Sequence, residues 1–428
     1  MRWTRPLRER INALLPPGSF IRNVGLLTSG TLVAQFITVL TLPILTRFYT
    51  PEDFSMLAVY VSIINIIAAV ASLRYNIAIP IPEKDADGFA LLAASLISSF
   101  LICILIALLI YFNSKTILQI IREPQIEPYL WAIPLGAFFA ASYDSLQYWA
   151  SRMKRFDLIT RTRMTRATGA AGTQLGVGFS SASPFGLVAG QMVYSALGIF
   201  GLFASLIRND RTAWQDLSLR RVSDQARRNY RFPVYSAPES LLNAASVELP
   251  IILIAAFAAG PEAGFLMLAM RIMGMPMALI GSSVAQVFLA DARMKQSEGS
   301  FASVSRSTMW DLFRFGAPPL LACGLLSPII FPILFGHEWS RAGWLVLWMT
   351  PWFILQFIVS PVSIALHVLG KQVVATMLQG VGLVLRVGVI LVAANLQPDI
   401  SSEAYAISGA LFYFIYLVTV INVIGAKS

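Results

Sequence analysis

A run of about twenty apolar residues with almost no charge is long enough to cross the hydrocarbon core of a bilayer as a helix. This chain carries twelve such runs in succession, near residues 24–47, 54–81, 87–112, 128–150, 160–181 and 184–207, then near 231–258, 261–289, 307–335, 342–368, 370–395 and 402–424. Between the sixth and the seventh lies a basic stretch, RNDRTAWQDLSLRRVSDQARRNYR, starting at Arg208. Backbone inside a bilayer must satisfy its own hydrogen bonds, so each run is expected to be helical. The expected fold is all-α: an integral membrane protein of twelve transmembrane helices in two six-helix lobes. The divisions are a cytoplasmic N-terminal segment 1–22, a first lobe 23–207, a basic cytoplasmic linker helix 208–230 and a second lobe 231–428.

Charge sets the expected orientation. The net charge of +10 is spread in short runs between apolar segments, the pattern of cytoplasmic membrane loops rather than of a nucleic-acid surface. With both termini in the cytoplasm, 24 Lys and Arg fall on that side and four on the other, Arg47, Lys115, Arg122 and Arg341. That asymmetry satisfies the positive-inside rule. The first apolar run lacks a small-residue cleavage site and is expected to be retained, preceded by a short amphipathic surface helix over residues 4–15. The linker places Trp214, Leu217, Arg221 and Val222 at helical spacing, as an interfacial helix would. Most of the nine tryptophans lie near run ends, where an interfacial belt is expected. Cys103 and Cys323 sit in apolar runs and are expected to be unpaired buried thiols. The two histidines have no metal-ligand spacing around them, and no metal or cofactor site is assigned.

Two runs are unusually polar. The fifth, TRMTRATGAAGTQLGVGFSSAS, is rich in Gly, Ser and Thr, and the first carries Thr28, Ser29, Thr31, Gln35, Thr38 and Thr41. Each is expected to turn one wet face inward, with Gly172 and Gly176 allowing close helix packing. The halves also echo one another: Pro51-Glu52-Asp53-Phe54 after the first run is matched by Pro261-Glu262-Ala263-Gly264 after the seventh. Six spans per half in the same orientation imply a parallel repeat about an axis along the membrane normal.

Six charges fall well inside the expected spans: Arg74, Asp144, Glu239, Glu248, Arg271 and Arg386. Placing a charge at a helix centre costs about 2.5 to 3.5 kcal/mol on insertion scales, so these residues should face one another or a hydrated interior. Arginine presents a planar, permanently charged fork suited to phosphate oxygens, which makes Arg74, Arg271 and Arg386 the substrate-binding candidates for an anionic headgroup. Asp144, Glu239 and Glu248 either balance those arginines, for instance Glu248 with Arg271, or bind a coupling proton or cation. Gly370-Lys371 lacks the rest of a phosphate loop, and the segment near 113–127 offers no catalytic site.

The segment Leu45-Thr46-Arg47-Phe48-Tyr49-Thr50-Pro51-Glu52-Asp53-Phe54, followed by Leu73-Arg74-Tyr75-Asn76-Ile77-Ala78-Ile79-Pro80, resembles the N-terminal signature of the polysaccharide transporter family. These are Wzx-type flippases of lipid-linked oligosaccharides, in a superfamily shared with MATE-type multidrug exporters. The basic turn Arg152-Met153-Lys154-Arg155-Phe156, leading to Arg161 and Gln174, is similar to the family's helix 4 to 5 region. Ser55 and Asn76 depart from the glycine and the acid common at those positions. The resemblance implies a MATE-like fold with a central cavity and alternating access. It implies a substrate of undecaprenyl pyrophosphate carrying a sugar repeat unit, held by arginines while the polyprenyl tail stays in lipid. Membrane lipids, a polysaccharide polymerase and a chain-length regulator are the implied partners. A cation-coupled multidrug exporter would want a cavity dominated by acids, and here three acids face three arginines. A membrane enzyme such as an O-antigen polymerase would need an extracytoplasmic catalytic loop. A lipid II flippase would imply two further helices.

Overall fold

The computed structural model describes residues 20–181, 183–258, 260–277, 301–363 and 371–425, with 281, 284, 366 and 369 between them. The expected surface helix at 4–15 and the end of the 261–289 run lie outside these residues. Twelve long helices follow in order: α1 (Phe20–Phe48), α2 (Pro51–Ala71), α3 (Asp85–Ile121), α4 (Ala132–Arg152), α5 (Phe156–Ser180), α6 (Phe185–Asn209), α7 (Ala237–Phe257), α8 (Glu262–Pro276), α9 (Phe301–Phe335), α10 (Ser340–Val359), α11 (Gln372–Leu396) and α12 (Ser401–Gly425). Among the described residues, nine of them are long and apolar enough to cross a membrane; α4, α5 and α8 are the exceptions. Large apolar side chains such as Leu105 on α3, Ile329 on α9 and Val384 on α11 point outward from the bundle. Between α6 and α7, the basic linker forms two short helices, Arg211–Gln215 and Leu219–Arg228, rather than one.

The two halves pack alike. In the first half α1 packs on α5, α5 on α6, α6 on α4, α4 on α3, and α2 on α4. The second repeats this pairing as α7 on α11, α11 on α12, α12 on α10, α10 on α9, and α8 on α10. The halves meet chiefly where α2 lies against α7 and α8. With no hydrophobic drive between helices in lipid, such contacts depend on close packing and hydrogen bonds.

The signature residues build the corner between α1 and α2. Thr50 caps α2 and exchanges hydrogen bonds with Asp53 in a capping box. The Tyr49 hydroxyl donates to Gln174 O at 2.7 Å. Across the interface Arg47 donates to Ile333 O at 3.3 Å, and Trp339 Nε1 donates to Thr46 O at 3.3 Å. Phe54 packs edge-on to Trp339 with ring centres 4.9 Å apart. The starts of α2 and α8 touch so closely that a Cβ on Gly264 would collide with Pro51 O. The two matching Pro-Glu segments therefore meet each other at one end of the molecule.

Several expectations on helix limits need correction. The 54–81 run breaks at Ala71, because Leu73 and Arg74 adopt left-handed backbone (φ 48° and 60°) before a four-residue helix, Tyr75–Ala78. Arg74 thus stands at a helix break rather than inside a span. The basic turn closes this corner: Arg152 donates to Ile79 O, to Pro82 O at 2.7 Å and to the Asp85 carboxylate. Arg155 pairs with Asp210 at the linker start, and Trp149 Nε1 donates to the same carboxylate. Trp149, Trp339 and Trp352 are core residues rather than members of a belt. Cys103 is buried as expected; Cys323 is exposed. A side-chain carbon added at Gly172 or Gly176 would meet nothing within 4 Å, so among the described residues these glycines do not serve close packing.

Candidate functional site

A cavity of about 530 Å³ opens between α1, α2, α5, α6 and α8. Its walls follow helical spacing. On α1 they are Thr31, Gln35 and Thr38, one polar face of an otherwise apolar helix. On α5 they are Arg163, Arg166, Ala167, Ala170 and Gln174, steps of three and four that place one stripe on the cavity. Asn65 of α2, Gln191 and Tyr194 of α6, and Arg271 of α8 complete the polar lining. The wet faces expected of the first and fifth runs are both here.

Three arginines, Arg163, Arg166 and Arg271, therefore share one cavity, and among the described residues no carboxylate lines it. Arg163 donates to the Thr31 hydroxyl at 2.5 Å. Arg166 lies over the ring of Tyr143 on α4 at 3.6 Å and of Tyr194 at 4.2 Å, while its Nε donates to Tyr194 O at 2.6 Å. The rings and that hydrogen bond hold the guanidinium in place and leave its two terminal amino groups, a planar pair of donors, to meet an anion. Asp144 on α4 is exposed and lies in the field of Arg166, Arg74 and Arg163. It is not among the residues that line the cavity.

Of the three arginines singled out from sequence, only Arg271 lines the cavity. Arg74 stands at the end of α2 with its Nε buried and without a hydrogen-bond partner. Arg386 on α11 is 3% exposed. It is enclosed by Trp352 on α10 and by Phe412 and Tyr413 on α12, with ring centres 5.2, 4.7 and 5.8 Å from its guanidinium carbon. It donates to Ser246 O at 3.3 Å, and its Nε has no partner. Arg166 and Arg386 are counterparts: each stands on the fifth helix of its half between aromatics from the fourth and sixth.

Glu239 is exposed in the first turn of α7. Glu248 does not pair with Arg271. It reaches across to α2, where Asn65 Nδ2 donates to its carboxylate at 2.8 Å. Arg163 and Arg166 escape a reading of the sequence because the basic cluster at 152–166 looks like cytoplasmic charge at a span end; α5 in fact begins at Phe156 and carries them inward. The Arg163, Arg166, Ala170, Gln174 spacing is the signal that could find them.

This arrangement is an all-helical membrane fold of two halves that pack alike, with a polar cavity lined mostly by the first half and by α8 of the second. Comparison with solved structures agrees. The chain is similar to the lipid II flippase MurJ in an inward closed conformation, with a TM-score of 0.72 and 12% identity over 92% of this chain and 87% of that one. It is also similar to an outward-facing multidrug resistance MATE family transporter of the MOP superfamily (TM-score 0.61, 11% identity, 95% and 96% covered). A Vibrio cholerae MATE transporter matches with a TM-score of 0.57, 12% identity and 93% and 95% covered. No curated protein sequence matches. Residues 44–343 match the family described as polysaccharide biosynthesis protein, and the chain belongs to that family.

Proposed function

We propose that the protein is a flippase that carries undecaprenyl-pyrophosphate-linked oligosaccharide repeat units from the cytoplasmic to the outer leaflet, for O-antigen or another surface polysaccharide. The observation that carries this reading is the cavity with three guanidinium groups and, among the described residues, no lining carboxylate. A diphosphate presents oxygens at the spacing a planar guanidinium accepts. A cation-binding exporter would need acids in the same place. Membership of a polysaccharide biosynthesis family and a fold shared with a lipid flippase support the same substrate class.

In this reading all twelve long helices span the inner membrane, with both termini in the cytoplasm and residues 23–207 and 231–428 as the two rocking lobes. Arg163, Arg166 and Arg271 hold the diphosphate, and the α1 threonines and Gln35 keep the cavity wet. The polyprenyl tail stays in lipid. Asp144 tempers the cationic cavity, and a polymerase and chain-length regulator receive the product. Arg166→Ala and Arg271→Ala should each abolish surface polysaccharide at unchanged protein level, with lipid-linked units accumulating. Normal polysaccharide in both variants contradicts the reading.

A further inference from the structure

The Asn65–Glu248 contact assigns a direction to an amide. A carboxylate only accepts hydrogen bonds, and Glu248 accepts one from Asn65 across the interface between the halves. The Asn65 NH₂ must therefore face Glu248, as the 2.8 Å contact has it. With Nδ2 on Glu248, the acceptor Oδ1 is the polar atom that the amide has left to offer, and Asn65 lines the cavity. The two residues come from different halves, α2 and α7, so the amide is held from outside its own helix.

An acceptor oxygen repels the oxygens of a diphosphate, which are acceptors too. What it can meet is a donor: a hydroxyl or an acetamido N–H. Gln35, Gln174 and Gln191 line the same cavity, carboxamides that suit neutral sugar groups. We infer that Asn65 reads a donor group on the sugar next to the diphosphate, and that Glu248 is a positioning residue that fixes Asn65 for this task. The inference builds on the flippase reading and adds the sugar-recognising part of the site. It also gives Glu248 a role other than ion coupling.

The test uses purified full-length protein in nanodiscs with two probes: a polyprenyl diphosphate bearing one N-acetylhexosamine, and the same polyprenyl diphosphate without sugar. Wild-type protein should bind the sugar-bearing probe more tightly. Asn65→Ala and Glu248→Ala should each cut that preference roughly five- to tenfold, the size of one hydrogen bond, while binding of the sugar-free probe stays unchanged. Glu248→Ala leaves no acceptor to hold the Asn65 NH₂, so the amide is no longer fixed with Oδ1 toward the cavity. Retained sugar-free binding shows that each variant is folded; if one is not, the other decides. An undiminished preference in the folded variant, or no preference in wild-type protein, overturns the inference. Sugar-free binding that survives Arg166→Ala overturns the diphosphate reading instead.

Discussion

Arg166 and Arg386 show how one residue type meets two environments in a repeated fold. Both are framed by aromatic rings, but Arg166 opens on a cavity and Arg386 is sealed from solvent. A buried cation with no acid among its hydrogen-bond partners in the described residues keeps a desolvation cost that its rings and the Ser246 carbonyl offset in part. Arg386→Ala should lower stability by about 2 kcal/mol through loss of cation–π contacts, read as a lower unfolding temperature in detergent. Arg386→Met should recover most of that loss, since a thioether fills the box without carrying charge. If Met is as damaging as Ala, the guanidinium has a function that the packing does not explain.

At the scale of elements, legibility follows from what apolar runs can and cannot record. The runs locate the twelve long helices among the described residues because hydrocarbon length is written directly in composition. They miss the break after Ala71, since Leu73 and Arg74 continue an apolar run while their backbone turns left-handed. They also leave Arg163 and Arg166 among the cytoplasmic basic residues, because charge alone does not tell a cytoplasmic turn from a helix face turned to water. The Pro-Glu match between the halves is visible in sequence, but that the two copies touch is not. Gly264→Ala should wedge the starts of α2 and α8 apart, because Pro51 O is backbone and cannot swing aside. A cost of about 1–3 kcal/mol is expected for such overpacking. Thermal unfolding of the variant checks it, and an unchanged midpoint would mean that the contact relaxes freely.

At the scale of the whole molecule, the halves are joined along α2 at several depths. Pro51 meets Gly264, Asn65 meets Glu248, and Ser240 donates to Ala69 O at 3.2 Å. Alternating access would require these contacts to part while the cationic cavity keeps its charge, so the arginines must act in both states. Transport in a reconstituted membrane tests this most directly. Proteoliposomes carrying a labelled polyprenyl-diphosphate oligosaccharide should move the label across the bilayer with wild-type protein. With Arg163, Arg166 and Arg271 all changed to Gln, movement should fall to the protein-free rate, although the protein still inserts and folds. Label movement at the wild-type rate in that triple variant would contradict the account.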